Sequence, residues 1–299
     1  MIRHKGILKL SLDCICVSVL ACGASFANAE LKSIGDEELS QYVGQAAIAF
    51  DVTENGADAF TRFTVGLDTE FQINTNNVVL GEYTQAGESN SADVQVSNLS
   101  FGHISTDGVN PQLNGLVYAE NEIVPFEAID PYFELAESNG QLVGFRVGFG
   151  GARGTLSGDW ASLSGNIGLK LDDGSGTIKD AQLLDASGAA DNYRASYIGL
   201  ADATTDCVAG VLCAPLSNLK TLDIGQKETD GTVSQTTDLF FSFQTQAVSW
   251  QNPSGTSSID TQPGAYLNLP TSMQLDMTQL STGIDRVRTE YIDRGLGLF

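Results

Sequence analysis

The chain has 299 residues, with 37 Asp and Glu against 15 Lys and Arg and a net charge of −22. So acidic a chain argues against nucleic acid, which is bound through clustered Lys and Arg, and against electrostatic docking on anionic lipid. With 42% hydrophobic and 17% charged residues it is neither a disordered tail nor a helical membrane protein, and two histidines leave little for acid–base or metal chemistry.

Residues 1–29 read as a secretory signal. Arg3, Lys5 and Lys9 give a positive start, residues 7–26 are mostly apolar despite Asp13, and Ala27-Asn28-Ala29 is a small-x-small pattern. Cleavage is expected between Ala29 and Glu30. A retained membrane anchor is one alternative; lipidation at Cys22, in Val19-Leu20-Ala21-Cys22, is another. Beyond residue 29 the only histidine is His103, and the only cysteines are Cys207 and Cys213. In an exported chain such a pair predicts a disulfide stapling a short surface loop. The spacing is not that of a Cys-x-x-Cys redox motif, and two thiols with one distant histidine do not make a zinc site.

Residues 30–45 predict a short helix. Asp36, Glu37 and Glu38 suit the positive end of its dipole, Leu39, Tyr42 and Val43 recur at helical spacing, and Gly44 follows as a C-cap. Residues 46–50 look like the entry to a strand. From residue 60 onward the period is close to two. Phe63, Val65 and Leu67 alternate with polar or small residues. So do Val94 and Val96, Phe145, Val147 and Phe149, Ile167, Leu169 and Leu171, and Leu239, Phe241 and Phe243. Leu267, Leu269, Leu275 and Met277 continue the pattern. These predict strands with one face buried and one wet, and Phe145, Val147 and Phe149 are expected on the buried face.

Breakers separate the strands at Asn76-Asn77, Gly87–Asn90, Ser138-Asn139-Gly140, Asp172–Gly176, Asp230-Gly231 and Asn252–Gly255. Residues 144–171 read as two long antiparallel strands around Gly158-Asp159-Trp160. Residues 180–235 look like an irregular insertion bearing the cysteine loop. The fold class predicted is all-β: an antiparallel sandwich or a curled, open barrel-like sheet over residues 46–299, with a short N-terminal helix.

Candidate chemistry is sparse. His103, within Phe101-Gly102-His103-Ile104, reads as a packing or sheet-face histidine rather than a general base. Ser217-Asn218-Leu219-Lys220 matches a serine-nucleophile pattern without its companion motifs. Asp172-Asp173 reads as a hairpin turn, with calcium as the alternative. No cofactor and no enzymatic activity are expected. The terminal Phe299 is typical of outer-membrane barrels, but Gly295, Gly297 and Asp293 would share its lipid-facing side. A closing strand whose arginines pair with acids is the simpler expectation.

The run Ile34-Gly35-Asp36-Glu37-Glu38-Leu39-Ser40-Gln41-Tyr42-Val43-Gly44-Gln45-Ala46-Ala47-Ile48 resembles the start of Fil-type proteins, secreted surface or filament-associated proteins of gammaproteobacteria. Phe145–Gly150, Leu156–Asp159, Leu163–Asn166 and Thr289–Gly295 are similar to later stretches of that group. The resemblance implies an exported component of a cell-surface or pilus-like filament, at the surface, outer membrane or periplasm, with protein partners or self-association. Strand addition is the expected physical route, with Leu39, Val43, Ile48, Phe50, Tyr291 and Phe299 in the candidate assembly segments. The alternative is a periplasmic or outer-membrane-associated module binding a lipid or other apolar ligand.

Overall fold

Alternating apolar residues punctuated by turn formers give strands, and the turns set their order. The computed structural model describes residues 48–84, 90–200, 213–252 and 258–290. It opens with β1 (Ile48–Asn55), β2 (Asp58–Val65), β3 (Asp68–Phe71), β4 (Ile73–Glu82) and β5 (Ala92–Phe101). The short strands β6 (His103–Ile104) and β7 (Ile123–Val124) pair at the base of a long loop. Next come β8 (Phe126–Ser138) and β9 (Gln141–Leu163). Their two-residue turn puts Asn139 at φ 51° and Gly140 at φ 74°. Positive φ at both positions matches the right-handed twist of a hairpin, and Asn-Gly tolerates it best.

The following strands are short: β10 (Gly165–Ile167), β11 (Lys170–Asp172), β12 (Ile178–Asp180), β13 (Gln182–Leu184), β14 (Tyr197–Gly199) and β15 (Cys213–Pro215). Then come β16 (Thr221–Ile224), β17 (Gln226–Lys227), β18 (Val233–Ser234), β19 (Phe240–Gln244), β20 (Val248–Gln251), β21 (Ser258–Thr261), β22 (Gly264–Leu269) and β23 (Gln274–Asp276). A single α-helix among the described residues, α1 (Met277–Thr282), ends the set.

The long strand β9 organises the molecule by changing partners along its length. Its first part lies between β8 and β19 in a sheet ordered β1-β2-β8-β9-β19-β22-β10. Its second part lies between β5 and β16, with β4 beyond β5. Gly154 sits at the change, at φ 143°, where a Cβ would lie 2.8 Å from the Phe126 ring. Only glycine fits there. The larger core lies between the two parts and includes Val94, Val96, Leu156, Trp160, Leu163, Ile167, Leu169, Leu222, Leu239 and Leu269. A second core of Phe60, Ala136, Val143, Phe240, Val248, Trp250 and Tyr266 lies where the β20–β21 hairpin meets the main sheet.

The all-β class is therefore as expected, and the main sheet does not close into a barrel. Several details differ. Residues 141–163 form one continuous strand, not two around Gly158-Asp159-Trp160, because β5 and β16 pair along it on both sides. Asn76-Asn77 lies inside β4, since the pairing Thr75↔Leu99 and Asn77↔Ser97 continues past it. Met277 begins a helix rather than extending a strand. Asp276 Oδ1 accepts from the Gln279 backbone N–H at 2.7 Å and Gln279 Oε1 accepts from the Asp276 backbone N–H at 2.9 Å, a capping box. Among the described residues no acid pairs with Arg286 or Arg288: Arg286 donates to the Asn98 carbonyl and Arg288, at 2.6 Å, to Asn121 Oδ1, while Arg294 lies outside the described residues.

The largest difference is one of phase. Phe145, Val147 and Phe149 do share a face, but Val147 is 41% exposed, while Arg146 on the opposite face is 1% exposed. Likewise Ser242 and Gln244 are buried and Phe243 is exposed. The hairpin β20–β21 covers the polar face, and Arg146 finds partners there. It donates to Glu134 and to the Gln251 carbonyl, and its guanidinium lies 5.1 Å from the Trp250 ring centre and 5.3 Å from those of Tyr132 and Phe240. Arg62 also holds Glu134, at 3.0 Å. A paired and ring-flanked guanidinium can be buried where a lone one cannot.

Candidate functional site

The uncovered face of the main sheet is its most unusual surface. Cross-strand register aligns Phe50, Phe63, Phe133, Val147, Phe241 and Leu267 in one row across β1, β2, β8, β9, β19 and β22. The adjacent row is Val52, Thr61, Leu135, Phe145, Phe243 and Ala265. Neither row contains a charge, in a chain with 37 acids. Charges return one row further out, where Glu54 and Glu137 flank Ala59.

Between β1 and β9 the rings touch one another, and among the described residues no segment lies over them. Phe50 meets Phe63 edge-on at 5.1 Å, Phe133 stacks on Phe145 at 5.8 Å, and Phe145 lies 6.2 Å from both Phe241 and Phe243. Ile48, Phe50, Val52, Phe63, Val65, Phe133, Val147 and Phe243 are all exposed. At roughly 200 Å² for a whole aromatic side chain, these leave on the order of 700 Å² of apolar surface open. That exceeds the ~300–600 Å² of the largest patch on a typical monomer and approaches the ~800 Å² each partner contributes to a standard interface.

Toward β22 this face passes under β4 and β5. There Val78, Leu80, Leu99, Phe101, Phe149 and Phe241 help line an apolar cavity of about 140 Å³.

A separate cleft of about 670 Å³ has a mixed lining that includes Pro111, Leu113 and Val233. It is walled by His103, Gln112 and Asn114 from β6 and its loop, Arg153 and Thr155 from β9, Asp223 from β16, and Thr232 and Ser234 from the β17–β18 hairpin. Arg153 donates to Glu127 Oε2 at 2.7 and 3.1 Å and to the Val233 carbonyl at 2.9 Å. His103 Nε2 lies 3.1 Å from Gln112 Oε1, and Gln112 Nε2 donates to the Asn110 carbonyl at 3.3 Å. That second bond fixes the amide orientation, so Nε2 of His103 carries the proton. Burial holds the imidazole below its ordinary pKa, and Nδ1 is buried without a partner. Burial raises the Asp223 carboxyl, and no described donor reaches it.

Of the residues singled out from sequence, Ile48 and Phe50 lie exposed on β1, at one end of the main strand order. Cys213 is buried and disulfide-bonded. Its expected partner Cys207, together with Cys22, Ala29, Glu30, Leu39, Val43, Tyr291, Phe299 and the predicted N-terminal helix, lies outside the described residues. The Asp172-Asp173 turn is closed by its own carboxylates: Asp172 accepts from Gly174 and Gly176, and Asp173 from Ser175 and Lys179. His103 lies in β6, paired with Val124 and half-buried, and also borders the cleft. The row through Phe133 and the carboxyl of Asp223 were not anticipated. Runs of alternating Phe were visible, but not their alignment across six strands. No protein-family model, curated protein or solved structure matches the chain.

Proposed function

We propose that this is an exported structural protein of the cell surface, which assembles with further protein subunits by laying the uncharged aromatic face of its main sheet against them. The observation that carries this reading is the exposed row from Phe50 through Phe63 and Phe133 to Val147, unbroken by charge in so acidic a molecule. Apolar area of this extent in water favours association. The strand β1 ends the sheet order among the described residues, so its outer edge can also accept a neighbouring strand. The resemblance of residues 34–48 to secreted filament-associated proteins points the same way.

The alternative, enclosure of a lipid, has less support. The apolar cavity of about 140 Å³ is below the ~300–1,000 Å³ of ordinary ligand pockets.

The test is analytical ultracentrifugation of the chain purified from the export compartment, with a Phe50→Ser/Phe133→Ser variant alongside. Oligomers that dissociate in the variant, with its melting temperature nearly unchanged, support the reading. A monomer at all concentrations, with a stoichiometric apolar ligand by native mass spectrometry, would sink it.

A further inference from the structure

We propose that the open edge of β1 pairs with an extended segment of a partner protein in which apolar and basic residues alternate. This pairing rests on the reading above that the main sheet meets other chains, and it gives the chemistry of the strand that the edge accepts.

Among the described residues β1 has a neighbour on one side only, and none of its eight residues is buried. Its register with β2 runs without a break from Ile48↔Val65 to Asn55↔Asp58. Natural edge strands are blunted by lysine, proline, a bulge or a short length, and β1 has none of these. In an antiparallel pair alternate residues turn their N–H and C=O away from the partner. The outer side of β1 therefore presents a row of such groups, spaced to bond another strand.

The two faces of β1 call for different neighbours. On one, Ile48, Phe50 and Val52 are each at least half exposed, and apolar side chains opposite them would extend the aromatic rows. On the other, register places Asp51, Arg62, Glu134 and Arg146 in one row across β1, β2, β8 and β9, so the sign of charge alternates from strand to strand. Glu134 binds both arginines, Arg62 at 3.0 Å. Asp51 ends the row at the open edge, is exposed and has no ion pair among the described residues. A lysine or arginine on the added strand continues the alternation and pairs with it, because opposite charges directly across a ladder attract. A second copy of β1 cannot supply that cation. Ile48–Asn55 contains Asp51 and Glu54 but no basic residue, and each copy brings a net charge of −22. The same charge draws a basic segment toward the chain.

The experiment is fluorescence anisotropy of the full chain with labelled peptides of eight residues, the length of β1. The first alternates valine and lysine, and the second alternates valine and glutamate. The third has the composition of the first, with all valines before all lysines. The first is expected to bind saturably with one site per chain, and more weakly as salt rises. The other two are expected to bind about tenfold more weakly or worse, because several cross-strand pairs change at once. Asp51→Asn, at an exposed position, is expected to weaken binding of the first peptide about two- to fivefold, the value of one cross-strand charge pair. Asp180→Asn, the same change on another sheet, is expected to leave it unchanged. Amide hydrogen exchange locates the peptide: alternate amides of β1, the outward ones, are expected to slow when it binds. The proposal is overturned by no saturable binding of the first peptide up to about 1 mM, by equal binding of either other peptide or by Asp51→Asn, or by unchanged exchange in β1 with peptide bound. Slowing of the same amides with rising chain concentration, without peptide, assigns the edge to a second copy and also overturns it. Any of these results, with oligomers that still dissociate in Phe50→Ser/Phe133→Ser, discards the basic strand and keeps the aromatic-face assembly. A monomer that carries a stoichiometric apolar ligand yet binds the first peptide at β1 does the reverse.

Discussion

Replacing Asp93 by alanine should cost about 3–5 kcal/mol of stability, because it strands a buried guanidinium. Asp93 and Arg194 are both 0% exposed at the side chain, with Arg194 Nε donating to Asp93 Oδ1 at 2.9 Å. The other guanidinium nitrogens donate to the carbonyls of Tyr83 at 3.0 Å, Asn90 at 2.9 Å and Gly81 at 3.2 Å. Asp93 Oδ2 accepts from the Ala265 backbone at 2.9 Å. The pair thus ties the end of β4, the start of β5 and the start of β22 to the segment before β14. Alanine at 93 leaves the charge in place without its counter-ion and leaves the Ala265 N–H unbonded. Against a typical total stability of about 5–15 kcal/mol, that loss is large. Urea unfolding, followed by fluorescence of the buried Trp160 and Trp250, would measure it. The double variant Asp93→Ala/Arg194→Met removes both charges and should lose less than the two single variants together. The loss should persist in 1 M salt, because a buried pair is barely screened. The exposed pair Lys170–Asp180 is the control, and breaking it should change stability by no more than about 0.5 kcal/mol. A loss below about 1 kcal/mol for Asp93→Ala, or strict additivity in the double variant, would refute the reasoning.

Two further outcomes are expected. A Cβ at Gly264 would lie 2.4 Å from Asp93 Oδ2, and its φ of 114° is open only to glycine. Gly264→Ala should therefore cost about 2 kcal/mol or more in urea, and part of that loss should vanish in an Asp93→Ala background, where the clash is gone. Asp223 supplies a pH dependence. Burial raises its carboxyl in the folded state, so the folded chain holds the proton more tightly than the unfolded one. That contribution is fully present below the unfolded value near pH 4 and is lost as pH rises through the folded value. Asp223→Asn should then melt higher than wild type at pH 7 and equally at about pH 3, as thermal scans across pH can test. A constant difference across that range would remove the buried-carboxylate argument.

Strand content, three of the turns and the division of side chains between two faces were legible in the residue pattern. Val94 and Val96, and Ile167, Leu169 and Leu171, are buried where their alternation put them. Ser138-Asn139-Gly140 makes its hairpin, because positive φ is a property of those residues. A period of two says which side chains share a face, but not which face is covered. Which face is covered follows from long-range packing. Arg146 goes inside because Glu134, Gln251 and Trp250 meet it there, the last two more than a hundred positions along the chain, while Phe145 and Val147 stay on the open side. The cleft is equally nonlocal: His103, Arg153 and Asp223 carry no motif and border one cavity through strand pairing. Alternation is local stereochemistry, whereas cover comes from whichever distant segment packs there, and neighbouring residues do not encode it.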